Sequence, residues 1–240
     1  MRGIVESFLL DGKQCHIYFP PDRRPNQLCD AVYVLDGAEF SERLEQIEAF
    51  LNTKDCRAFC LVYFSPVDWN RDYSPWPAPA VFQKGEPFSG GAGQTLSFLT
   101  GRLLEKVQRS FPVLDTPEHR GIMGYSLGGL CALWSMYECR EFGYGICCSP
   151  SLWYDGWTEY VKQNTLPKHC GIYLSLGQAE EKTRNRRLAV IGERAREMDT
   201  LLQQDERVGR HTLVFHEGGH FHDVPKRLAL GLQWALEMEK

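Results

Sequence analysis

Short apolar runs and longer amphipathic patterns alternate along almost the whole of this 240-residue chain. The apolar runs are rich in β-branched and aromatic residues and stop at turn residues: QCHIYF, AVYVLDG, CRAFCLVYF, HRGIMGYS, FGYGICCSP, CGIYLSLG and HTLVFHEGG. The helical patterns are SERLEQIEAFL, QTLSFLTGRLLEKVQRSF, LGGLCALWSMYE, RLAVIGERAREMDTLLQQ and VPKRLALGLQWALEME. Continuous apolar strands separated by helices are typical of a mostly parallel sheet with helices on both faces. No repeat or linker interrupts the pattern, so we expect a single α/β domain over residues 1–240.

The least regular stretch runs from about residue 65 to residue 94 and is rich in proline, glycine and aromatic residues. Long loops in compact domains are often functional. Trp69 and Trp76 are therefore candidates to line a substrate pocket, although packing the loop against the core would also use them. Arg71 is a further candidate for substrate contact, with bracing of the loop as its alternative. The segment GGAGQT lacks the lysine of a phosphate-binding loop, which argues against nucleotide binding.

The segment GIMGYSLGGLCALW contains a G-x-S-x-G pattern centred on Ser126. A strand-like run precedes it and a helical run follows it, which is the context of a nucleophile elbow. A sharp strand-to-helix turn exposes the serine hydroxyl, and the glycines allow the turn to pack closely. The N-terminus of the following helix directs free N–H groups at developing negative charge. The sequence therefore predicts Ser126 as a nucleophile.

A serine nucleophile needs a base within hydrogen-bond reach, and the rest of the chain offers candidates in a suitable order. In hydrolases with this elbow, the acid and then the histidine follow the serine, each at the end of a strand. Two carboxylates follow the strand CGIYLSLG, namely Glu180 and Glu181. Three histidines follow the strand HTLVF, namely His216, His220 and His222.

The string HEGGH, from His216 to His220, also matches the zinc-peptidase pattern H-E-x-x-H. That chemistry requires a helix that places both histidines on one face. Gly218 and Gly219 disfavour such a helix by about 2 kcal/mol relative to alanine, and a β-branched run leads directly into the string. We therefore expect a loop at the end of a strand, and no metal or other cofactor.

Several segments together resemble one family: GYSLGG, SPSLWY, SLGQAEEKTRN, EGGHF, RDYSPW and FSGGAGQTLSFL. They are similar to the "Putative esterase" family of α/β-hydrolases, above all its enterochelin-esterase-like (siderophore esterase) and esterase D-like branch. The similarity runs from about residue 31 to the C-terminus. It implies the α/β-hydrolase fold and a serine carboxylic-ester hydrolase that acts on a small acyl or aryl ester, of which a siderophore-type ester is one example.

The resemblance also implies roles for single residues. Ser126 is the nucleophile, His220 the general base, and Glu180 the triad acid. Backbone N–H groups of Leu127 and of Gly37 or Ala38 form the oxyanion hole. Trp153 of SPSLWY forms a wall of the substrate pocket.

Alternatives remain open from the sequence. Glu181 adjoins Glu180, and some relatives work with a Ser–His dyad, so the acid is not fixed. His222 is a second candidate for the base. A catalytically inactive binding protein on the same scaffold and a zinc peptidase using HEGGH are the competing functions, and acyl transfer competes with hydrolysis.

The composition of the chain limits the classes of partner that we expect for it. Charged residues make up 24% of the chain, and the formal net charge is −4 without a basic stripe, so we expect no nucleic-acid partner. No apolar run reaches the roughly 20 residues of a membrane helix, and no signal peptide is evident. The nine cysteines are scattered without C-x-x-C pairs. We expect a soluble cytoplasmic protein whose partner is a small ester, with an oligomeric state that the sequence leaves undetermined.

Overall fold

The computed structural model describes residues 1–24, 26–36 and 39–237, and in that part of the chain an eight-stranded sheet organises the fold. The strands are β1 (Ile4–Leu10), β2 (Lys13–Phe19), β3 (Asp30–Leu35), β4 (Phe59–Phe64), β5 (Pro77–Ala78), β6 (Phe88–Ser89), β7 (Arg120–Tyr125), β8 (Tyr144–Cys148), β9 (Cys170–Gly177) and β10 (Val208–His216). The main sheet has the order β1-β2-β4-β3-β7-β8-β9-β10, and β5 pairs with β6 in a separate antiparallel ribbon. Only the β1–β2 and β2–β4 pairs of the main sheet are antiparallel. The predicted, mostly parallel α/β fold is confirmed.

Helices connect the parallel strands. They are α1 (Glu39–Phe50), α2 (Trp69–Asp72), α3 (Ala92–Phe98), α4 (Leu104–Ser110), α5 (Leu127–Glu138), α6 (Trp157–Gln163), α7 (Arg186–Ala189), α8 (Ile191–Gln204) and α9 (Val224–Leu236). A π-helical turn, Leu99–Leu103, joins α3 to α4, and short 3₁₀ turns occupy Thr53–Asp55 and Pro117–His119. None of the helices in the described ranges has the length and apolar character needed to cross a membrane.

The sheet carries an apolar layer on each face. Helices α1 and α9 bury their apolar sides against one face, whereas α3 to α6 and α8 pack on the other. The central strands β3, β4, β7 and β8 are buried at every position. Burial on both faces explains why these strands read as continuous apolar runs rather than as alternating patterns.

The sequence analysis did not predict strand β1, helix α6 or the short elements α2, β5 and β6, and it joined α7 to α8 in one helix. Strand β1 lies at the edge of the sheet and is partly exposed along its length, so its segment IVESFLL lacks the apolar run of a central strand. Helix α6 is only seven residues long, which is too short for a clear amphipathic period.

The carboxyl ends of the parallel strands meet at one edge of the sheet, where parallel α/β proteins place their ligands. The residues that follow β3, β7, β8, β9 and β10 are Asp36, Ser126, Ser149, the segment 178–181 and the segment 217–223. This edge therefore brings together side chains that lie far apart in sequence.

Candidate active site

Ser126 lies in the sharp turn between β7 and α5. Its backbone has φ 58° and ψ −122°, a conformation that non-glycine residues rarely adopt. The flanking glycines are required by close packing: a Cβ on Gly124 would lie 2.2 Å from the Gly128 carbonyl oxygen, and a Cβ on Gly128 would lie 1.9 Å from the Leu35 carbonyl oxygen. The G-x-S-x-G pattern thus reflects a turn in which neither glycine has room for a side chain.

The hydroxyl of Ser126 begins a chain of hydrogen bonds at the strand ends. Its Oγ lies 2.9 Å from Nε2 of His220, and Nδ1 of His220 lies 2.7 Å from Oε2 of Glu180. With the proton on Nδ1, the imidazole donates to Glu180 and accepts from Ser126. The hydroxyl of Tyr125 donates to the His220 carbonyl oxygen at 2.6 Å, which holds the histidine turn against the elbow.

The other oxygen of Glu180, Oε1, accepts from three donors. These are the Gly177 amide at 2.7 Å, the Ser149 hydroxyl at 2.5 Å and Nη2 of Arg227 at 3.2 Å. Arg227 is fully buried and also donates to the Ser149 hydroxyl. Burial alone would raise the pKa of Glu180, but the hydrogen bonds from His220, Ser149 and Gly177, with the charge of His220, lower it to about 2. The carboxylate is therefore ionised over the whole physiological pH range.

The neighbouring carboxylate, Glu181, points to a different partner. Its oxygens lie 3.1 and 3.2 Å from the guanidinium of Arg196, on helix α8. Of the two glutamates that the sequence left open, Glu180 is the one in contact with His220.

The other histidines of the segment also lie apart from Ser126. His216 ends strand β10, and its Nε2 is 3.2 Å from the Tyr173 hydroxyl. His222 is half exposed and faces Asp223, with Nδ1 3.6 Å from the carboxylate. The string HEGGH occupies a strand end and a loop, as predicted, instead of a helix. Within the described residues, no group of three or more His, Cys, Asp or Glu side chains is arranged to hold a metal ion.

The predicted oxyanion donors are only partly described. Leu127 begins helix α5 directly after Ser126, and its N–H has no acceptor among the described residues. Its position at the start of a helix favours negative charge nearby. Gly37 and Ala38, which the sequence predicted as the second donor, lie outside the described residues.

A cavity of about 390 Å³ opens beside Ser126 and His220, and we call it the apolar pocket. Its walls are mainly apolar: Val81, Phe82, Trp153, Leu188 and Ile191, with Phe221 at the side. The structure thus places Trp153 beside the predicted nucleophile. Residues 81 and 82 belong to the long irregular loop, which therefore covers part of this cavity.

A second cavity, of about 490 Å³, also opens beside Ser126 and His220 but has a largely different lining, and we call it the charged pocket. Its lining includes Asp36, Glu39, Arg43, Val67, Trp69 and Tyr125, again with Phe221. Trp69 and Trp153 therefore line different cavities, each of which Ser126 also lines. Nothing in the sequence pattern predicted this cavity or its charged residues.

The remaining two substrate candidates line neither cavity. Trp76 packs against Trp157 and Tyr160, and its Nε1 donates to the Asp155 carbonyl oxygen at 2.8 Å. Arg71 pairs through Nε with Asp72 at 2.8 Å and braces the loop, which was the alternative that the sequence offered for it. The prediction that these two side chains contact substrate therefore gains no support from the linings of the two cavities.

Two residues that contact the site were absent from the sequence prediction. Ser149 follows β8 in the segment CCSPS, and only its position after a parallel strand marked it. Arg227 interrupts the apolar side of α9, whose neighbouring buried positions include Leu228 and Leu232. A charged residue at a buried helical position needs a partner, and that requirement is the signal that would have identified it.

Arg187 fixes the long loop to the edge of the apolar pocket. Its Nη1 donates to the carbonyl oxygens of Pro79 at 2.8 Å and Ala80 at 3.0 Å, and its Nη2 pairs with Asp155 at 3.0 Å. Its guanidinium carbon lies 5.2 Å from the centre of a Trp153 ring.

Comparison with known proteins identifies the family. Residues 12–224 match the model of the family described as "Putative esterase". The uncharacterized protein YbbA of Bacillus subtilis is 26% identical over 184 residues, covering 75% of this chain and 74% of YbbA.

Solved structures show the same fold at low sequence identity. The siderophore hydrolase EstA of Aspergillus nidulans has a TM-score of 0.74 at 17% identity, covering 97% of this chain and 93% of EstA. An IroE-like serine hydrolase of Shewanella oneidensis has a TM-score of 0.77 at 18% identity, covering 98% of this chain and 78% of that one. Together with the family match, the shared α/β-hydrolase fold shows that the chain belongs to the "Putative esterase" family and is a carboxylic ester hydrolase.

Proposed function

We propose that Ser126, His220 and Glu180 form a catalytic triad that hydrolyses a small acyl or aryl ester through an acyl-enzyme. The observation that supports this proposal is the unbroken chain of hydrogen bonds from the serine hydroxyl through the imidazole to the carboxylate. A serine becomes an effective nucleophile when an oriented base accepts its proton, and this arrangement supplies both the base and its orientation.

In the first half of the reaction, Ser126 Oγ bonds to the ester carbonyl carbon, and Nε2 of His220 takes the hydroxyl proton. The carbonyl oxygen becomes an oxyanion near the N–H of Leu127, at the start of helix α5. Such a donor is worth on the order of 3 kcal/mol in the transition state. The carbon–oxygen bond to the alcohol then breaks, and His220 gives the proton to the departing alcohol oxygen.

In the second half, water replaces the alcohol. His220 takes a proton from the water, whose oxygen attacks the acyl carbon, and the bond to Ser126 Oγ breaks as the proton returns to the serine. Glu180 stays ionised throughout and stabilises the imidazolium that forms in each half. Ser149 and Arg227 hold Oε1 of Glu180, so that Oε2 keeps its alignment with Nδ1 of His220.

The substrate class follows from the cavities and from one relative. The apolar pocket, walled by Trp153 and the residues of the long loop, suits an apolar or aromatic group attached to the scissile carbonyl. EstA, which shares the fold, is a siderophore hydrolase, so siderophore-type esters belong in the first substrate panel. We propose Trp153 and Trp69 as substrate contacts, and we do not extend this proposal to Trp76 and Arg71.

Labelling with a fluorophosphonate tests the nucleophile. The purified protein is treated before and after dialysis against a chelator, and the adduct is mapped by mass spectrometry. We expect a single adduct on Ser126 that is indifferent to chelation, is absent from Ser126→Ala and is strongly slowed in His220→Ala. His222→Ala is the matched control, because His222 makes no contact with Ser126, and it should label at the normal rate. An absent adduct, or labelling and turnover that disappear with the chelator, would refute the proposal.

The two adjacent glutamates give a matched test of the acid. Glu180→Gln should lower kcat by roughly 10⁴-fold, the scale reported for a triad acid, because the imidazole loses its ionised partner. Glu181→Gln changes the same charge one residue away and should leave kcat within about twofold, since an exposed pair with Arg196 contributes little. Equal effects of the two substitutions on aryl-ester turnover would contradict the assignment.

A further inference from the structure

The apolar pocket and the charged pocket meet at the proposed reacting atoms. Ser126, His220 and Phe221 line both cavities. An ester whose carbonyl carbon lies at Ser126 Oγ therefore has one half on each side. A substrate bound in this way meets two different linings, one on each half.

The charged pocket has a net negative lining. Asp36 is buried, and its carboxylate accepts from Nη1 of Arg43 at 2.8 Å. Nη2 of the same guanidinium pairs with Glu39, whose side chain is 68% exposed. Two carboxylates share one guanidinium, so a negative charge is left over at the mouth of the cavity, where Glu39 remains accessible.

The remaining walls of this cavity include the aromatic side chains of Trp69 and Tyr125. Trp69 is the partly exposed ring of the two, and an aromatic ring attracts an ammonium group. The Tyr125 ring is buried and already has the Arg227 guanidinium carbon 5.3 Å from its centre. Burial raises the pKa of Asp36 to about 6, and the Arg43 guanidinium limits the rise. At pH 8, therefore, Asp36 is ionised and contributes its negative charge to the lining.

The two-step reaction decides which half of the ester enters which cavity. After the alcohol leaves, the acyl group stays bonded to Ser126, and water must fill the place that the alcohol has left. Both cavities have apolar walls, but the charged pocket adds Asp36, Glu39 and Arg43 to its lining, and charged side chains hold water more readily than the mostly apolar walls around Trp153. The alcohol half therefore occupies the charged pocket, and the acyl half stays in the apolar pocket beside Trp153.

From this geometry, and resting on the proposed function, we infer that the enzyme prefers esters that combine an apolar acyl group with an alcohol carrying a cationic amine. Glu39 determines this preference, with Asp36 and Arg43 holding the local charge balance. Phe221, which is 86% exposed, separates the two halves at the mouth.

The test compares two substrates of the same shape. Choline phenylacetate carries a quaternary ammonium in its alcohol half, and 3,3-dimethylbutyl phenylacetate has a neutral carbon in its place. The ratio of their kcat/KM values is measured at pH 8 and low ionic strength for the natural protein, Glu39→Gln and Glu39→Lys. The intrinsic chemical reactivity of the two esters cancels when the ratios are compared, because every variant is assayed with the same two substrates. We expect the ratio of the charged to the neutral ester to fall by about two- to fivefold from the natural protein to Glu39→Gln, and again from Glu39→Gln to Glu39→Lys, which is the scale of an exposed ion pair. In the natural protein, added salt should lower the same ratio.

Glu42 provides the matched control. It is exposed on the same helix, α1, and does not line the charged pocket, so Glu42→Gln and Glu42→Lys should leave the ratio within experimental error. Turnover of the neutral ester should be unchanged in the two Glu42 variants. An equal fall in the Glu42 series would show a general charge effect and would overturn the inference.

A second pair of esters tests the orientation. Phenethyl 4-(trimethylammonio)butanoate carries the cation in its acyl half, and phenethyl 5,5-dimethylhexanoate is its neutral counterpart. Their ratio should not respond to Glu39. If this ratio changes with Glu39 and the choline ratio does not, the halves bind the other way round and the inference is wrong. If neither ratio changes while Ser126 still hydrolyses the neutral esters, the inference fails and the proposed function stands. If the natural protein shows neither ester turnover nor fluorophosphonate labelling, the proposed function itself is refuted.

Discussion

Replacing Ser126 by glycine should give a more stable protein than replacing it by alanine, although both substitutions abolish the proposed chemistry, because the backbone at this position is held in an unfavourable conformation. At φ 58° and ψ −122°, a Cβ is crowded by the neighbouring peptide groups. Glycine adopts this region without that cost. Alanine retains the Cβ and removes only the hydroxyl, so the comparison of Ser126→Gly with Ser126→Ala isolates the backbone strain.

The expected difference follows from two opposing terms. A residue in a sparsely populated backbone region costs on the order of 1–3 kcal/mol. Glycine loses more chain entropy on folding than alanine does, which opposes this gain by about 0.4–1 kcal/mol. Ser126 is only partly buried, so the missing methyl group costs little packing. The glycine variant should therefore be more stable than the alanine variant by about 1 kcal/mol, or about 2–4 °C in Tm for a chain of this size.

Urea and thermal unfolding of the two variants measure this difference. Ser97 gives the control, because it is exposed within helix α3 and there the same pair of substitutions has the opposite sign. Ser97→Gly should be less stable than Ser97→Ala by about 1 kcal/mol. If the pair at Ser126 shows the same sign as the pair at Ser97, the elbow stores no strain and the reasoning is refuted.

Three further predictions concern the surroundings of the elbow. Gly128→Ala should destabilise the protein by about 3 kcal/mol or more in chemical denaturation, since its Cβ would lie 1.9 Å from the Leu35 carbonyl oxygen. A variant that is more stable than the natural protein, as replacing glycine by alanine in a helix usually is, would contradict this prediction. Arg227→Met should lower the free energy of unfolding by about 3–5 kcal/mol, because it leaves the buried Glu180 charge without its cation. Arg227→Lys should recover part of that stability. A methionine variant as stable as the natural protein would show that the pair contributes nothing. The pKa of Glu180 is lowered from 4.5 to about 2, so its ionised form stabilises the fold above pH 4.5, and that stabilisation is lost as the pH falls towards 2. The difference in unfolding free energy between the natural protein and Glu180→Gln should accordingly narrow below pH 4.5, and a difference that widens instead would contradict the stated environment of this carboxylate.

Much of the fold was predictable because its central strands are buried on both faces. Strands β3, β4, β7 and β8 read as apolar runs, and the helices between them show an apolar period. Edge strand β1 escaped prediction for the opposite reason: one side of it meets solvent, so no continuous run marks it. Pattern reasoning therefore works best where burial is symmetric.

The catalytic candidates were predictable to the extent that local geometry restricts their neighbours. The elbow at Ser126 needs glycines at fixed positions, and a strand that runs into HEGGH excludes a helix there. The choice between Glu180 and Glu181 could not be made from the sequence, because it depends on which carboxylate the turn after β9 directs towards His220. Arg227 was missed since a single charge on a helix gives no indication of its partner across the fold.

The charged pocket was missed for a related reason. Asp36, Glu39 and Arg43 come from the end of β3 and the start of α1, and their charges look like those of an ordinary solvated helix. Only the position of this helix beside Ser126 makes them part of a cavity. Such a cavity forms only when the strand ends come together in the fold, so no motif in the sequence indicates it.

The contact made by Arg187 has a consequence for how freely the loop over the apolar pocket can change its sequence. Two of the three acceptors of this guanidinium are main-chain carbonyl oxygens, those of Pro79 and Ala80. A carbonyl oxygen is present whatever side chain the residue carries, so the attachment survives most mutations of the loop. Val81 and Phe82, which follow directly and face the apolar pocket, can therefore be exchanged while the loop stays anchored. A library randomised at these two positions should keep its stability while its substrate range diversifies, which makes this short segment the natural starting point for evolving new specificities.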